Sequence, residues 1–479
     1  MNKSIRQVMV FILVLIVLLL ANLTWVQAFR TETYAQNPLN SRQFLEGRAR
    51  PPRQTRARRE IPPPSELGDA GYYSRIYDAY PEAYAPVEGY LSDIYGASGL
   101  ERSQNGILNG SDPSLFASRA MDTITGRGQQ GANLELTLIP EAQITAYEAL
   151  ADNGYVGSIV AMRPSTGEIL AMASTPSYDP NDIARNDEEI WQELNQAEDS
   201  PLLNHATQVP LPPGSTFKVL TTIAAIENGA GPDTPVTAAA SVTLPGTNTQ
   251  LENYGGQACG GGGTTTLRTA FARSCNTAFA ELSVETGADP LRDVADRFGV
   301  GDEFDGLGVP QQASTIGEIP DDAALAQTSI GQRDVSFTPL QNAIIAATIA
   351  NGGVRMEPHL VSSVQGQDLS VLDTTDPEEI NQAIHEDTAA MMTELMRASE
   401  SQSGGNGSRI ASKTGTAEHG TDRGVLAPHV WYIAFAPDSD VAVAVVVESG
   451  GGQGGGATGG SVAAPLGRDV IDAVERAGR

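Results

Sequence analysis

A serine and a lysine stand three residues apart in GSTFKVLTTI, residues 214–223. At helical spacing Ser215 and Lys218 share one side. Ser215 is then a candidate nucleophile. Lys218 is the base that takes its proton, once burial or a nearby cation depresses the amine. A helix start would add a dipole favourable to the developing alkoxide and backbone N–H groups able to hold an oxyanion. Phe217, Leu220, Ile223 and Ala224 supply an apolar helical face, and Gly229 a stop. The same residues also fit a capped helix with a snorkelling lysine.

Two further groups could work with this pair. In RSCNTAF, residues 273–279, Ser274 and Asn276 are two apart. On a regular helix they diverge, but on a turn between helices both can face a cleft. Ser274 could then relay a proton to a leaving group, and Asn276 could bind a substrate amide or Lys218. The alternative is a helix cap. In ASKTGTAEHG, residues 411–420, Lys413 supplies positive potential and Gly415 permits close backbone approach. Thr414 and Thr416 share a strand face, where their hydroxyls can receive a carboxylate. The alternative is a solvated edge strand with a protective lysine.

Sequence pattern supplies the elements that would hold these groups. GSIVAMRPSTGEILAMAS, residues 157–174, reads as two strands around a Pro-Ser-Thr-Gly turn. VWYIAFAPDSDVAVAVVVES, residues 430–449, reads as two more, with Pro437–Asp440 as the turn. Helical pattern dominates roughly 215–400. One sheet fed from both ends of a domain, with helices inserted between, fits that order. The domain would open near Leu134, Leu136 and Leu138, which alternate as a strand does, followed by a helix starting at Pro140. GGGQGGGATGG, residues 450–460, reads as a flexible loop, and VAAPLGRDVIDAVERA as a final helix against the sheet.

The 479 residues allow two to four domains. A formal net charge of -28 argues against a general nucleic-acid binder. The 2 cysteines and 5 histidines show no CxxC or HExxH spacing, and no phosphate-binding glycine motif is present. These absences disfavour metal, dinucleotide and P-loop enzymes.

The N-terminus carries Lys3 and Arg6, then an apolar run from Val8 to Val26 long enough to span a membrane. The leading positive charges predict a cytoplasmic start and an exported body. A cleaved signal peptide ending near Ala28 is the alternative. Residues 30–65 read as a juxtamembrane linker, with a basic cluster at Arg48, Arg50, Arg53, Arg56, Arg58 and Arg59. The cluster is a solvated, extended linker or a contact to anionic surface polymer or lipid heads. Tyrosines crowd residues 71–95, a pattern that packs or binds a partner.

The three groups occur in the order Ser215–Lys218, Ser274–Asn276, Lys413–Thr414–Gly415, each in the context its chemistry needs. On these motifs the chain resembles the penicillin-binding protein and serine β-lactamase superfamily. Within it the chain is similar to class B penicillin-binding proteins, of the PbpA-type transpeptidase group of actinobacteria. GEILAMASTPSYDPN, LPPGSTFK, TSIGQRDVSFTPLQNA and GYLSDIYGASGLE extend the likeness over nearly the whole chain. Residues 40–70 depart from it.

The resemblance implies an α/β (α+β) transpeptidase fold with a central antiparallel sheet and a helical insertion. It implies an anchor over 1–28, a linker and pedestal over 29–130, and a catalytic domain over 131–479. Ser215 would attack a D-alanyl-D-alanine carbonyl with Lys218 as base. Ser274 and Asn276 would shuttle the proton and orient the acyl group. Lys413 would complete the positive cleft, and Thr414 and Thr416 would hold the terminal carboxylate beside Gly415. Backbone N–H groups of Ser215 and Thr416 would form the oxyanion hole. The partners implied are peptidoglycan stem peptides, β-lactams as covalent inhibitors, a membrane glycosyltransferase, and division or elongation proteins. No cofactor, metal or nucleic acid is called for. A D,D-carboxypeptidase or β-lactamase of the same fold, a non-enzymatic scaffold and a wall-binding module are the other readings. In an exported chain Cys259 and Cys275 can pair, and a disulfide would clamp a glycine-rich loop beside the site. A buried free thiol at Cys275 is the alternative.

Overall fold

Four sequence runs are buried at every position, and all four are strands of one sheet: Gly157–Met162 (β1), Ile169–Thr175 (β2), His429–Ala436 and Val441–Val447. With Ala411–Ala417 (β3) on the edge, His429–Ala436 is β4 and Val441–Val447 is β5. Their order is β3-β4-β5-β1-β2, antiparallel throughout. The computed structural model describes residues 3–25, 55–56, 66–67, 73–77, 80–115, 131–366, 368–418 and 426–478.

Continuous burial follows from helices on both faces. Strand alternation sends Val441, Val443, Val445 and Val447 into one core, with Ala142, Ala146 and Leu150 of helix Pro140–Ala151 and Val470 and Ile471 of helix Ala464–Ala477. Ala442 and Ala444 face the other core, with Ile344 and Ile345 of the apolar helix Pro339–Ala350. Small residues on that face let the helix lie close to the sheet. The pairing of β5 with β1, Val443 opposite Ala161, joins the two ends of the domain as the sequence pattern implies.

Two sequence expectations need correction. Asn133–Leu136 is a strand, and Leu134, Leu136 and Leu138 are buried, but it lies outside the central sheet. It pairs with Thr55–Arg56 and with Val361–Gln365 in a separate four-stranded sheet. Alternation specifies a strand and its buried face, and leaves its partner open. The glycine run at 450–460 is not a plain loop. It winds through short helical turns, Glu448–Gly452, Gly454–Gly456 and Gly459–Ala463, the last capped reciprocally by Thr458 and Ser461. A Cβ at Gly459 would meet the Trp431 carbonyl at 2.2 Å, so this segment is pressed onto the sheet.

The tyrosine cluster packs. Tyr90 meets Tyr178 and Trp191 edge-on at 6.1 and 5.8 Å, and Tyr95 stacks on Trp191 at 4.3 Å. These contacts seat the 80–115 region on the larger domain. Helix Lys3–Trp25 is long and apolar enough from Ile5 to cross a membrane, with mean hydropathy 2.8. Apart from Arg56, the basic cluster lies outside the described residues.

Helix Ala464–Ala477 reaches the sheet at Gly467, where a Cβ would meet the Tyr432 ring at 2.6 Å. Gly467→Ala gains helix propensity of about 1 kcal/mol but overpacks a buried ring at about 1–3 kcal/mol. The expected net result is a thermal midpoint lowered by a few degrees. A raised midpoint would show that the helix and sheet can separate without loss.

Candidate active site

Ser215 lies on a 3-10 turn, Gly214–Phe217, and the α-helix begins only at Lys218, running to Glu227. In a 3-10 turn residues three apart eclipse, so the two side chains still share a side. The turn depends on Gly214, whose φ is 54°. A Cβ there would meet the Thr416 carbonyl at 2.9 Å. Gly214 N–H donates to the Gly331 carbonyl at 3.0 Å, and Trp431 Nε1 donates to the Pro212 carbonyl at 2.8 Å. The serine turn is thereby fastened to the sheet. Among the described residues the Ser215 hydroxyl has no hydrogen-bond partner, and it is half-buried at the cavity wall.

Lys218 does not snorkel; it is fully buried. Its Nζ donates to the Ser274 carbonyl at 2.8 Å, the Ser274 Oγ at 3.2 Å and Asn276 Oδ1 at 2.7 Å. Ser274 and Asn276 do not cap a helix with their side chains. Ser274 sits between helices Leu267–Ala272 and Asn276–Thr286, with φ 60°, and Cys275 is the N-cap without a side-chain cap bond. A left-handed non-glycine residue costs roughly 1–2 kcal/mol. Here the conformation accompanies a carbonyl and a hydroxyl both bonded to Lys218. Asn276 is fixed from its other end, where Nδ2 donates to the Glu252 carbonyl at 3.0 Å.

Lys413 is likewise fully buried, so the protective edge-lysine reading fails. Its Nζ donates to Ser274 Oγ at 2.8 Å and to the Thr414 carbonyl at 2.9 Å. Strand β3 is held by β4, with Lys413 opposite Ile433 and Gly415 opposite Trp431. A Cβ at Gly415 would meet the Pro213 carbonyl at 2.7 Å. The opposite face of β3 is braced: Ser412 Oγ bonds the buried Glu400, which also accepts from Tyr432 OH at 3.0 Å and Arg468 Nε at 2.8 Å.

Burial, and secondarily the charge of Lys413, holds Lys218 well below the ordinary lysine value. Burial alone pushes Lys413 down to about 7. Both amines therefore lose protons far more readily than exposed lysines. Ser274 Oγ accepts from both, which fills its two lone pairs and leaves its own O–H free to donate.

Ser215, Ser274, Asn276, Thr414 and Thr416 line one cavity of about 600 Å³. Lys413 and Lys218 reach it through Ser274. Sequence reasoning missed Arg273, Gln332, Glu418 and Thr458 on the same lining. They stand within or beside the quoted stretches, but no local spacing marks them, and only the fold brings them to the cavity. Cys259 and Cys275 form a disulfide, with Cα atoms 6.0 Å apart, tying the residue between Ser274 and Asn276 to the glycine-rich segment. Among the described residues no cluster of histidine, cysteine and carboxylate suits a metal.

A serine turn, two buried lysines meeting at one hydroxyl, and an edge strand along the cleft define a penicillin-binding transpeptidase domain. Residues 157–472 match the penicillin binding protein transpeptidase domain family, and residues 64–134 the penicillin binding protein A dimerisation domain family. The chain belongs to the penicillin-binding protein transpeptidase family. It is 48% identical over 492 residues to the peptidoglycan D,D-transpeptidase PbpA of Mycolicibacterium smegmatis, covering 100% of both chains. It is 46% identical over 487 residues to the PbpA of Mycobacterium tuberculosis, covering 99% of both. The structure of penicillin-binding protein A from M. tuberculosis as a ceftriaxone acyl-enzyme superposes with a TM-score of 0.85. That comparison has 47% identity and covers 90% of this chain and 99% of that one. The penicillin G acyl-enzyme of the same protein gives 0.84 at 47% identity, over 88% and 99% of the two chains.

The folded chain releases the Lys413 proton near pH 7, the unfolded chain near the ordinary lysine value of about 10.4. Between those values the unfolded state binds more protons, so stability rises with pH. The thermal midpoint of wild type minus that of Lys413→Met should grow more positive from pH 7 to 10. A flat difference would mean that Lys413 keeps its proton in the folded protein.

Proposed function

We propose that this chain is a membrane-anchored peptidoglycan D,D-transpeptidase acting through a serine acyl-enzyme that β-lactams trap. The observation that carries the reading is the convergence of Lys218 and Lys413 on Ser274 Oγ, in the same cavity wall as the Ser215 hydroxyl. Family membership and the PbpA relatives support it.

In this reading Ser215 Oγ attacks the carbonyl between the last two D-alanines of a stem peptide. Its proton passes to Lys218, which burial keeps available as a base. Backbone N–H groups of Ser215 and Thr416 hold the oxyanion. Thr414 and Thr416 hold the terminal carboxylate, Lys413 supplies positive potential, and Gly415 lets the peptide lie close. Ser274 passes the O–H proton that the two lysines leave free to the departing D-alanine nitrogen, and Lys218, which donates to its Oγ, returns to it the proton taken from Ser215. The Ser215 ester is then attacked by an amine of a neighbouring stem peptide, which forms the crosslink and restores the serine. One acyl bond replaces another, so the electron balance needs no cofactor. Water in place of that amine would make the enzyme a carboxypeptidase.

The segment assignments follow: an anchor over 1–28 with its N-terminus in the cytoplasm, a linker and pedestal over 29–130, and catalysis over 131–479. Lys3 and Arg6 ahead of the span support that orientation. Glycan polymerisation falls to a partner membrane glycosyltransferase, within a division or elongation complex.

Intact mass after mixing the full-length chain in detergent with benzylpenicillin tests the core of this reading. Wild type should gain one drug mass and Ser215→Ala none. Lys218→Ala and Ser274→Ala should acylate more slowly by about 10²–10⁴-fold, the range for a lost general acid or base. Unmodified wild type with intact drug would point to a scaffold instead, and unmodified wild type with consumed drug to hydrolysis. With a thioester donor and an added amine, crosslinked product separates the transpeptidase from the carboxypeptidase, which yields free acid.

A further inference from the structure

Arg273 directly precedes Ser274 and lines the same cavity as Ser215, Asn276 and Thr416. It is exposed, and among the described residues its guanidinium makes no ion pair or hydrogen bond. Arg268, on the helix just before it, is bonded to Glu394 at 2.6 Å. In a chain of net charge -28, carboxylate partners are abundant, yet this arginine is left open towards the cavity. Guanidinium groups bind carboxylates in a planar fork, a contact a neutral side chain cannot replace.

The rest of the charged lining is acidic, Glu252 and Glu418. The cavity is therefore no general trap for anions: among the described lining residues Arg273 is the one cationic side chain, while the two lysines are buried behind Ser274. The terminal carboxylate of the substrate is already assigned to the β3 wall, and it leaves with the last D-alanine. The acyl portion that stays on Ser215 must extend to the other side of the broken bond. Arg273 ends helix Leu267–Ala272 and so lies off β3, beside the serine that relays the proton.

We propose that Arg273 binds a second carboxylate, carried on the acyl portion of the substrate, and so selects acidic stem-peptide donors. The inference rests on the acyl-transfer reading of Ser215.

Benzylpenicillin and carbenicillin provide the test, because they differ by one carboxylate on the acyl side chain. Their acylation-rate ratio within one protein cancels general damage to the site. With the full-length chain in detergent, the carbenicillin-to-benzylpenicillin ratio should fall about fivefold in Arg273→Gln, the scale of a partly solvated ion pair. It should fall further in Arg273→Glu and recover largely in Arg273→Lys. Added salt should move the wild-type ratio towards that of Arg273→Gln. Equal ratios in wild type, Arg273→Gln and Arg273→Glu would overturn the inference and leave the function standing. If neither drug acylates wild type, the function falls and this inference falls with it.

Discussion

Two amines buried in apolar surroundings share a single hydroxyl, and that arrangement tolerates at most a partial load of charge. Lys218 and Lys413 lie 3.2 and 2.8 Å from Ser274 Oγ, with Phe279 and Phe271 within 5.4 and 5.8 Å of them. In such a medium two ammonium groups repel strongly. The protein holds them together through oxygen acceptors: the Ser274 carbonyl, Asn276 Oδ1 and the Thr414 carbonyl. Each acceptor needs a particular backbone shape. Ser274 adopts a left-handed turn, Asn276 opens a helix, and Thr414 lies on an edge strand. The chemistry at Ser215 is thus tied to three separate pieces of local structure.

The scaffold works mainly by close backbone approach and by bracing from behind. Gly214, Gly415 and Gly459 each sit where a Cβ would strike a backbone carbonyl. The serine turn, β3 and the glycine-rich turns accordingly stack with almost no side chain between them. Alternation along β3 then gives its two faces different work. Lys413 turns towards Ser274, while Ser412 turns towards Glu400, which Arg468 and Tyr432 hold in place. The buried carboxylate is satisfied on all sides, the condition under which burying it is tolerable.

Much of this was legible in the sequence, for physical reasons particular to each part. Singly, Ser215–Lys218, Ser274–Asn276 and Lys413–Gly415 also fit a capped helix, a helix cap and a protective edge lysine; they became legible because all three occur together, in one order, each on the element its chemistry needs. The strands at 157–174 and 430–449 were legible because a sheet covered on both faces must be apolar throughout. What stayed hidden depends on tertiary pairing. Asn133–Leu136 joins a second sheet because Thr55–Arg56 and Val361–Gln365 flank it, and no local pattern names those partners. The 3-10 turn at Ser215 follows from Gly331 and Thr416 pressing on Gly214. The bracing by Glu400 and the cavity position of Arg273 likewise arise only when distant segments meet.

The pairing of β5 with β1 carries a consequence for how the domain comes into being. Val443 can find Ala161 only after nearly all of the intervening chain has emerged. Contacts so distant in sequence form slowly, because a large loop must close before they are rewarded. Strand β1 and its neighbour β2 are buried along their whole length and apolar but for Ser158, Ser174 and Thr175, and until β5 arrives they present an open, sticky edge. On a chain that emerges in sequence order, that hairpin waits unpartnered while the helical insertion follows it. Its protection from aggregation in that interval must come from elsewhere, either from early helices such as Pro140–Ala151 or from a chaperone on the side of the membrane where the domain folds.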